Sequence, residues 1–366
     1  MKLTCDTTRL RDALLLVDRI SGKKSSLPVL RYTLFVAGDA GLKLRATNLD
    51  IGVEISVPAR VEREGVVAVP GDILGNFLSC LSGEKNVTLE LLRENLVIAS
   101  DKQSSIVKCA GYEDFPNIPI PDKGITFTHD SKQILAGFRA TVFSAALSDI
   151  KPEFASVMVA TEDGYLVFAA TDSSQLAEKR CAVKKMPAEQ FSILIPARNA
   201  GEIMRLLESY PGEVTLVITK HQAAFIGENF RITTRLVDGV FPDYKQIIPK
   251  EFKTEATVLR EDLLSALKMT NIFSGKLQQV RLKIYPKDKL FEIEARTNEV
   301  GENTTKVDAA LEGDPVELLF NQRLIVDALN YITGDSILLG ASPAKPLVVK
   351  PLGDTSFTYL VMPMRG

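Results

Sequence analysis

Few side chains in this sequence are of a type and spacing that could do covalent chemistry. His129 and His221 are the only two histidines. Both fall in stretches whose alternation predicts strands, where a lone histidine serves structure far more often than catalysis. Cys5, Cys80, Cys109 and Cys181 lie far apart with no CxxC pair. That argues against a structural zinc site and a disulfide framework, and fits a reducing compartment. Gly22-Lys23 would close a phosphate loop only with glycine five residues before Gly22, and Val17 stands there. GxSxG, HExxH and GxGxxG are absent. Asp172, in the tripeptide ATD, has a sufficient role in a strand-to-loop turn. The residues imply no catalytic centre, metal or cofactor, and point to a binding protein.

Composition narrows the class further. The 366 residues are 45 % hydrophobic and 25 % charged, as in an ordinary globular protein, and are long enough for two or three domains. No apolar run approaches bilayer length, and MKLTCDTTRL lacks the apolar core of a signal peptide. The expectation is a soluble cytoplasmic protein. A formal charge of −2 denies it bulk attraction for nucleic acid, so any grip on phosphates must come from one basic surface.

The elements that would build such a surface are written three times. TTRLRDALLLVDRI (7–20) is an amphipathic helix with Leu10, Ala13, Leu14, Val17 and Ile20 on one stripe. SKQILAGFRATVFSA (131–145) and REDLLSALKMTNIF (260–273) repeat it, with Ile134/Phe138 and Leu263/Leu267 in the places of Leu10/Leu14. LKLRATNLDIGVEISV (42–57) predicts paired strands, with Ile51, Val53, Ile55 and Val57 on one face and Gly52, Glu54 and Ser56 on the other. Its counterparts are YLVFAATDSSQLAEKR (165–180) and FEIEARTNEVGENTTKV (291–307), with Thr171 − Thr47 = 124 and Thr297 − Thr171 = 126. Strand-to-helix junctions follow at VAVPGDILGNFLSCL (67–81), ILIPARNAGEIMRLL (193–207) and LLFNQRLIVDALNYI (318–332), with Asp72 and Asn199 near helix N-termini. The unit reads strand, helix, three strands, helix, strands. That is an α+β domain, two helices packed on antiparallel sheet. FPDYKQIIP (241–249) and its paler copy DFPNIPIP (114–121) punctuate the ends of units. The domains expected are 1–122, 123–249 and 250–366.

The polar sides of the helices carry Arg11 and Arg19, Lys132 and Arg139, Lys268, then Arg198, Arg205 and Arg323. Loops add Lys23, Lys24, Lys151 and Lys276, while much of the acid lies on strands and hairpins. If the helices point one way, an acidic protein has one mildly basic surface, suited to phosphates and not to reading bases.

These residues are similar to a known family. LPVLRYTLFVAGDAGLKLRATNLDIGVEI (27–55), FPDYKQIIP and the terminal YLVMPMRG (359–366) resemble the bacterial DNA polymerase III beta subunits, the sliding clamps. With the threefold repeat, the resemblance covers the whole chain. It implies three tandem DNA-clamp domains dimerising head to tail into a six-domain ring around duplex DNA. The function implied is that of a non-catalytic processivity factor tethering the replicative polymerase, opened by an ATP-driven clamp loader. The DNA-facing candidates it implies are Arg11, Lys24, Arg139, Ser148, Lys151, Arg198 and Arg205. A groove between domains two and three would take short peptides from the polymerase and other partners, with Met362, Pro363, Met364 and Arg365 in its wall. The implied lining continues through Pro242, Gln246, Ile247, Phe154, Thr171, Leu176, Leu277, Asn321 and Pro346. Ile106 and Val107 match one side of the subunit seam, and Ile272 and Phe273 the other. Gln175 and Gln246 replace family arginines, and Leu324 a common aromatic, which makes the groove less cationic. A peptide-binding scaffold that never encloses DNA shares the groove but needs no closed dimer. The two-domain trimeric clamp is opposed by three repeats in one chain.

Overall fold

The computed structural model describes all residues except 23–25, 82, 120, 122, 365 and 366. Each repeat opens with a strand that hands directly to a helix. Lys2–Asp6 leads into α1 (Thr7–Asp18), capped by Asp6, whose carboxylate accepts from the Arg9 amide at 2.9 Å. The predicted stripe Leu10, Ala13, Leu14, Val17 and Ile20 is buried throughout, as 3.6-residue spacing requires. Ile134 and Phe138 of α3 (Ser131–Thr141) and Leu263 and Leu267 of α5 (Arg260–Asn271) are buried likewise. The second helices are α2 (Gly71–Cys80), α4 (Ala197–Ser209) and α6 (Gln322–Leu329).

Between the helices the chain makes more strands than the three expected. The second repeat has four: Ser156–Glu162, Tyr165–Thr171, Gln175–Ala182 and Ser192–Pro196. In the first repeat the long third strand is broken into Ile51–Val57 and Ala59–Arg63 at Pro58, which has no amide hydrogen for a ladder. The third repeat breaks similarly, into Gly301–Lys306 and Ala309–Gly313.

The ladders are antiparallel, and they do not respect the repeats. Phe230–Arg235, the last strand of the second repeat, pairs with Ile51–Val57 of the first, Ile232 opposite Val53. This builds an eight-stranded sheet. Phe357–Val361, the last strand of the third repeat, pairs with Gln175–Ala182 of the second, Leu360 opposite Leu176, within a nine-stranded sheet. The chain accordingly forms two compact units. One comprises Met1–Leu135, Pro187–Glu189 and Arg198–Leu236, and the other Ala136–Met186, Gln190–Ala197 and Val237–Gly366. Two further sheets, of five and four strands, end in Ser104–Lys108 and Gly301–Lys306 respectively.

Three expectations are corrected. His221 sits in the exposed turn after Glu213–Ile218, not in a strand. The hairpin reverses there, with the Thr219 hydroxyl donating to the Gln222 carbonyl at 3.0 Å. The second face of Ile51–Val57 is covered as well as the first. Glu54 is 7 % exposed, held by Arg45 at 2.6 Å and Lys43 at 3.3 Å. Burial pushes its carboxyl up, but the two cations outweigh burial and leave it below its ordinary value. Asn199 caps no helix; it is buried and donates to the Thr234 hydroxyl at 2.9 Å.

Candidate partner-binding groove and basic helix faces

FPDYKQIIP is anchored by its tyrosine. Tyr244 is 5 % exposed and donates its hydroxyl to Glu178 at 2.5 Å. Burial, then that hydrogen bond, push the phenol far above its ordinary range, so it stays a donor. Around it pack Leu176, Leu194, Val348 and Leu360, with Phe241 and Ile248 partly buried alongside. Burying the tyrosine leaves Pro242 half-buried and Gln246 and Ile247 at the surface. The Gln246 amide is occupied by Asp243 at 2.6 Å.

The turn after Thr171 forms the adjoining wall. Thr171 donates to the Gln175 carbonyl at 2.6 Å, and the Asp172 carboxylate accepts from the Ser174 and Gln175 amides at 2.8 and 3.0 Å. Asp172 thus has the structural role expected of it. Gln175 differs from expectation, for it does not line the groove. It is 7 % exposed, donating to Asp172 at 2.9 Å and accepting from the Tyr359 hydroxyl at 2.6 Å. That hydroxyl also lies 2.8 Å from the Leu324 carbonyl. Burial first, then nearby Asp172 and Asp327, push the Tyr359 phenol upward.

The chain's end is stapled across this wall. The Met362 amide donates to the Ser174 carbonyl at 2.8 Å, and the Met364 amide to the Leu319 carbonyl at 2.7 Å. The backbone is thereby fixed, while Met362 remains 41 % exposed and Pro363 and Met364 half-exposed. Asn321 caps α6, accepting from the Arg323 amide at 3.0 Å. The next residue, Gln322, donates its amide to Gln278 at 2.9 Å, which sets exposed Leu277 beside the start of α6. Thr171, Leu277, Asn321, Met362 and Met364 thus belong to one connected region of the second unit. Thr171, Leu176 and Pro346 are buried there; they support its surface instead of lining it. Phe154 is held by its own loop, its carbonyl accepting from Ala146 at 2.8 Å and its ring under the Lys151 ammonium at 5.4 Å. Tyr359 was missed by sequence reasoning because an apolar strand hides its hydroxyl chemistry. Arg365 lies outside the described residues.

The helix faces are less basic than the count of cations suggested. Arg11 pairs with Asp12 at 2.8 Å, Arg205 with Glu202 at 2.5 Å, and Arg19 with the same glutamate at 3.5 Å. Arg323 pairs with Asp327 at 3.6 Å. Acids one to four residues away on a helix, or on an adjacent one, neutralise these guanidiniums in part. Arg139, Ser148, Lys151 and Arg198 are exposed; Lys24 lies outside the described residues. Of the seam residues, Ile106 is 70 % and Ile272 68 % exposed, whereas Val107 is 8 % exposed and Phe273 packs partly buried on the core of the second unit. Strand alternation turns Val107 inward when Ile106 faces out.

Three family models of the DNA polymerase III beta subunit match in order: the N-terminal domain over residues 1–119, the central domain over 128–243 and the C-terminal domain over 245–365. The chain belongs to the DNA polymerase III beta subunit family. A beta sliding clamp from Synechococcus elongatus is 28 % identical over 100 % of this chain and 99 % of its own length. The crystal structure of the beta subunit from Thermotoga maritima covers 100 % of this chain and 99 % of its own at 26 % identity, with a TM-score of 0.93. A sliding clamp from Pseudomonas aeruginosa, solved bound to griselimycin, covers 100 % of both chains with a TM-score of 0.95 at 24 % identity. The architecture is that of three tandem clamp domains, and the family is one of non-catalytic processivity factors in DNA replication. No helix among the described residues is long and apolar enough to cross a membrane.

Proposed function

We propose that two copies of the chain close head to tail into a ring that encircles duplex DNA and tethers the replicative polymerase and other partners through the groove of the second unit. The observation that carries this reading is the way the repeats join. At both internal joints the last strand of a repeat pairs with the third strand after the first helix of the repeat before it. The same rule leaves two strands over: Ser104–Lys108, last of the first repeat, and Gly301–Lys306, third in its block in the third repeat. Each lies at one end of its sheet, the five- and the four-stranded respectively, and an open edge invites pairing. A two-fold dimer would pair Ser104–Lys108 of each copy with Gly301–Lys306 of the other, so that neither strand is left over.

Ile106, Val107, Ile272 and Phe273 belong to that seam in this reading, and the domains run 1–122, 123–249 and 250–366. Exposed Arg139, Lys151 and Arg198, with Ser148 and the partly neutralised Arg11 and Arg205, would meet phosphates weakly. A weak contact suits a ring held by topology, since it must slide. Lys24 is assigned to the same face from the resemblance alone. The groove is read as lined by Pro242, Gln246, Ile247, Leu277, Asn321, Phe154 and the tail Met362–Arg365, with Thr171, Leu176 and Pro346 beneath. Exposed thioethers adapt to varied peptides, and tethering raises the polymerase's local concentration at the primer end. An ATP-driven loader opens the ring, and the protein works in the cytoplasm.

Small-angle X-ray scattering with absolute mass tests the ring. A dimer mass with the distance distribution of a hollow disc is expected. A monomer at micromolar concentration refutes it and favours an open peptide-binding scaffold.

A further inference from the structure

The joint between the first and second repeats, inside the first unit, holds a cavity of about 580 Å³, a size common for ligand sites. Its walls repeat those of the partner groove. Thr47 donates to the Ile51 carbonyl at 2.8 Å, and the Asn48 side-chain oxygen accepts from the Asp50 and Ile51 amides at 3.0 Å each. Leu49 has φ 80° where Ser173 has φ 74°. This is the Thr171–Gln175 turn again. The Arg235 amide donates to the Asp50 carbonyl at 2.8 Å, as the Met362 amide does to Ser174. Pro116 of DFPNIPIP answers to Pro242 (242 − 116 = 126), and His221 answers to Pro346 (346 − 221 = 125), the latter two each standing immediately before the next-to-last strand of its repeat.

What differs is the filling. At the second joint, Leu176 and Tyr244 pack together beneath the linker. At the first, Gly52 stands for Leu176 (176 − 52 = 124) and Ile118 for Tyr244 (244 − 118 = 126). Ile118 has moved in over the glycine; its Cγ2 lies 2.7 Å from where a Gly52 Cβ would be. One isoleucine cannot occupy the volume of a leucine and a tyrosine, so the joint is left hollow. The rim differs too. Arg235 replaces the exposed methionine, and Leu49 is 46 % exposed beside it. Among the described residues the Arg235 guanidinium makes no ion pair or side-chain hydrogen bond.

We propose that this cavity is a second peptide site, taking a short extended acidic segment. Its carboxylate would meet Arg235 as a charge-assisted pair, and a small apolar side chain would rest on Ile118 and Leu49. The assignment rests on the reading of the second joint as the partner groove, because it is drawn from the shared walls. The test uses full-length protein labelled with ¹³C at Ile, Leu and Met methyls, titrated with acetyl-Ala-Asp-Val-Asp-Ala-amide and with its Asn-for-Asp counterpart. Saturable shifts at Leu49 and Ile118 are expected. They should weaken about ten- to hundredfold in Arg235→Ala and for the Asn peptide, the range of one lost charge-assisted hydrogen bond. They should persist in protein lacking residues 362–366, so that failure of the partner groove leaves this result standing. No saturation at millimolar peptide, equal binding by Arg235→Ala, or shifts confined to the Met362 methyl would overturn the proposal. Equal shifts with inorganic phosphate would overturn it in favour of a plain anion site.

Discussion

Replacing Tyr359 by phenylalanine removes one oxygen from the interior of the groove wall. The hydroxyl is fully buried and reaches the Gln175 side-chain oxygen at 2.6 Å and the Leu324 carbonyl at 2.8 Å. Phenylalanine fills the same space but leaves the Gln175 oxygen without its donor. A buried polar atom stripped of its partner costs about 1–3 kcal/mol. For a cooperative unit of this size that lowers the melting temperature by roughly 2–12 °C. Gln175→Leu removes the acceptor, so the phenol must turn wholly to Leu324, and Asp172 loses its 2.9 Å donor. If the three side chains act as one strut, the double variant is less destabilised than the sum of the singles, by about 0.5–2 kcal/mol. Thermal melts followed by circular dichroism measure this, and fluorescence anisotropy with a labelled partner peptide reads the groove. Affinity should fall in Tyr359→Phe, because the Thr171–Gln175 turn and the tail that crosses it at Ser174 share this support. Tyr112→Phe, at an exposed tyrosine, is the control. Additive energies, or a Tyr359→Phe variant within about 0.5 kcal/mol of the parent, as for an ordinary surface change, would refute the strut.

Deleting Met362–Gly366 should abolish binding of a partner peptide while dimer mass is kept, because Phe357–Val361 retains its ladder; unchanged anisotropy would remove the tail from the groove. Ile106→Asp combined with Ile272→Asp should halve the mass seen by light scattering, since both side chains are more than two-thirds exposed and the charges repel only across a seam; an unaltered mass would place the seam elsewhere. Glu54 is held below its ordinary value by Arg45 and Lys43 after burial is outweighed. Its stabilisation is present above the unfolded value near 4.5 and is lost as pH falls through the lower folded value. With both cations about one-third exposed, Glu54→Gln should cost about 1 kcal/mol at pH 7. That gap should close in urea melts by pH 3 and persist if the pairs are inert.

The sequence alone determined the repeated elements, because helix and strand periods are local properties. The Leu10/Leu14 stripe and its two copies are buried as their spacing requires, and an offset near 125 places each counterpart. It also determined the family, since FPDYKQIIP and YLVMPMRG are contiguous words. Pairing between distant strands is not written locally. That Phe230–Arg235 joins Ile51–Val57, so that three repeats become two compact units, depends on which edges meet after folding. Side-chain direction is equally a tertiary result. Gln175 reads as a groove residue that has lost a charge, yet it faces inward because Tyr359, 184 residues later in the chain, offers a buried hydroxyl. The partners of Arg11 and Arg205 are local and could have been read from the sequence, whereas only the fold brings Arg19 beside Glu202. Only the folded structure could reveal that a cavity lies beside Gly52 and Ile118, the positions that answer to packed Leu176 and Tyr244, because volume is shared between residues that the sequence keeps apart.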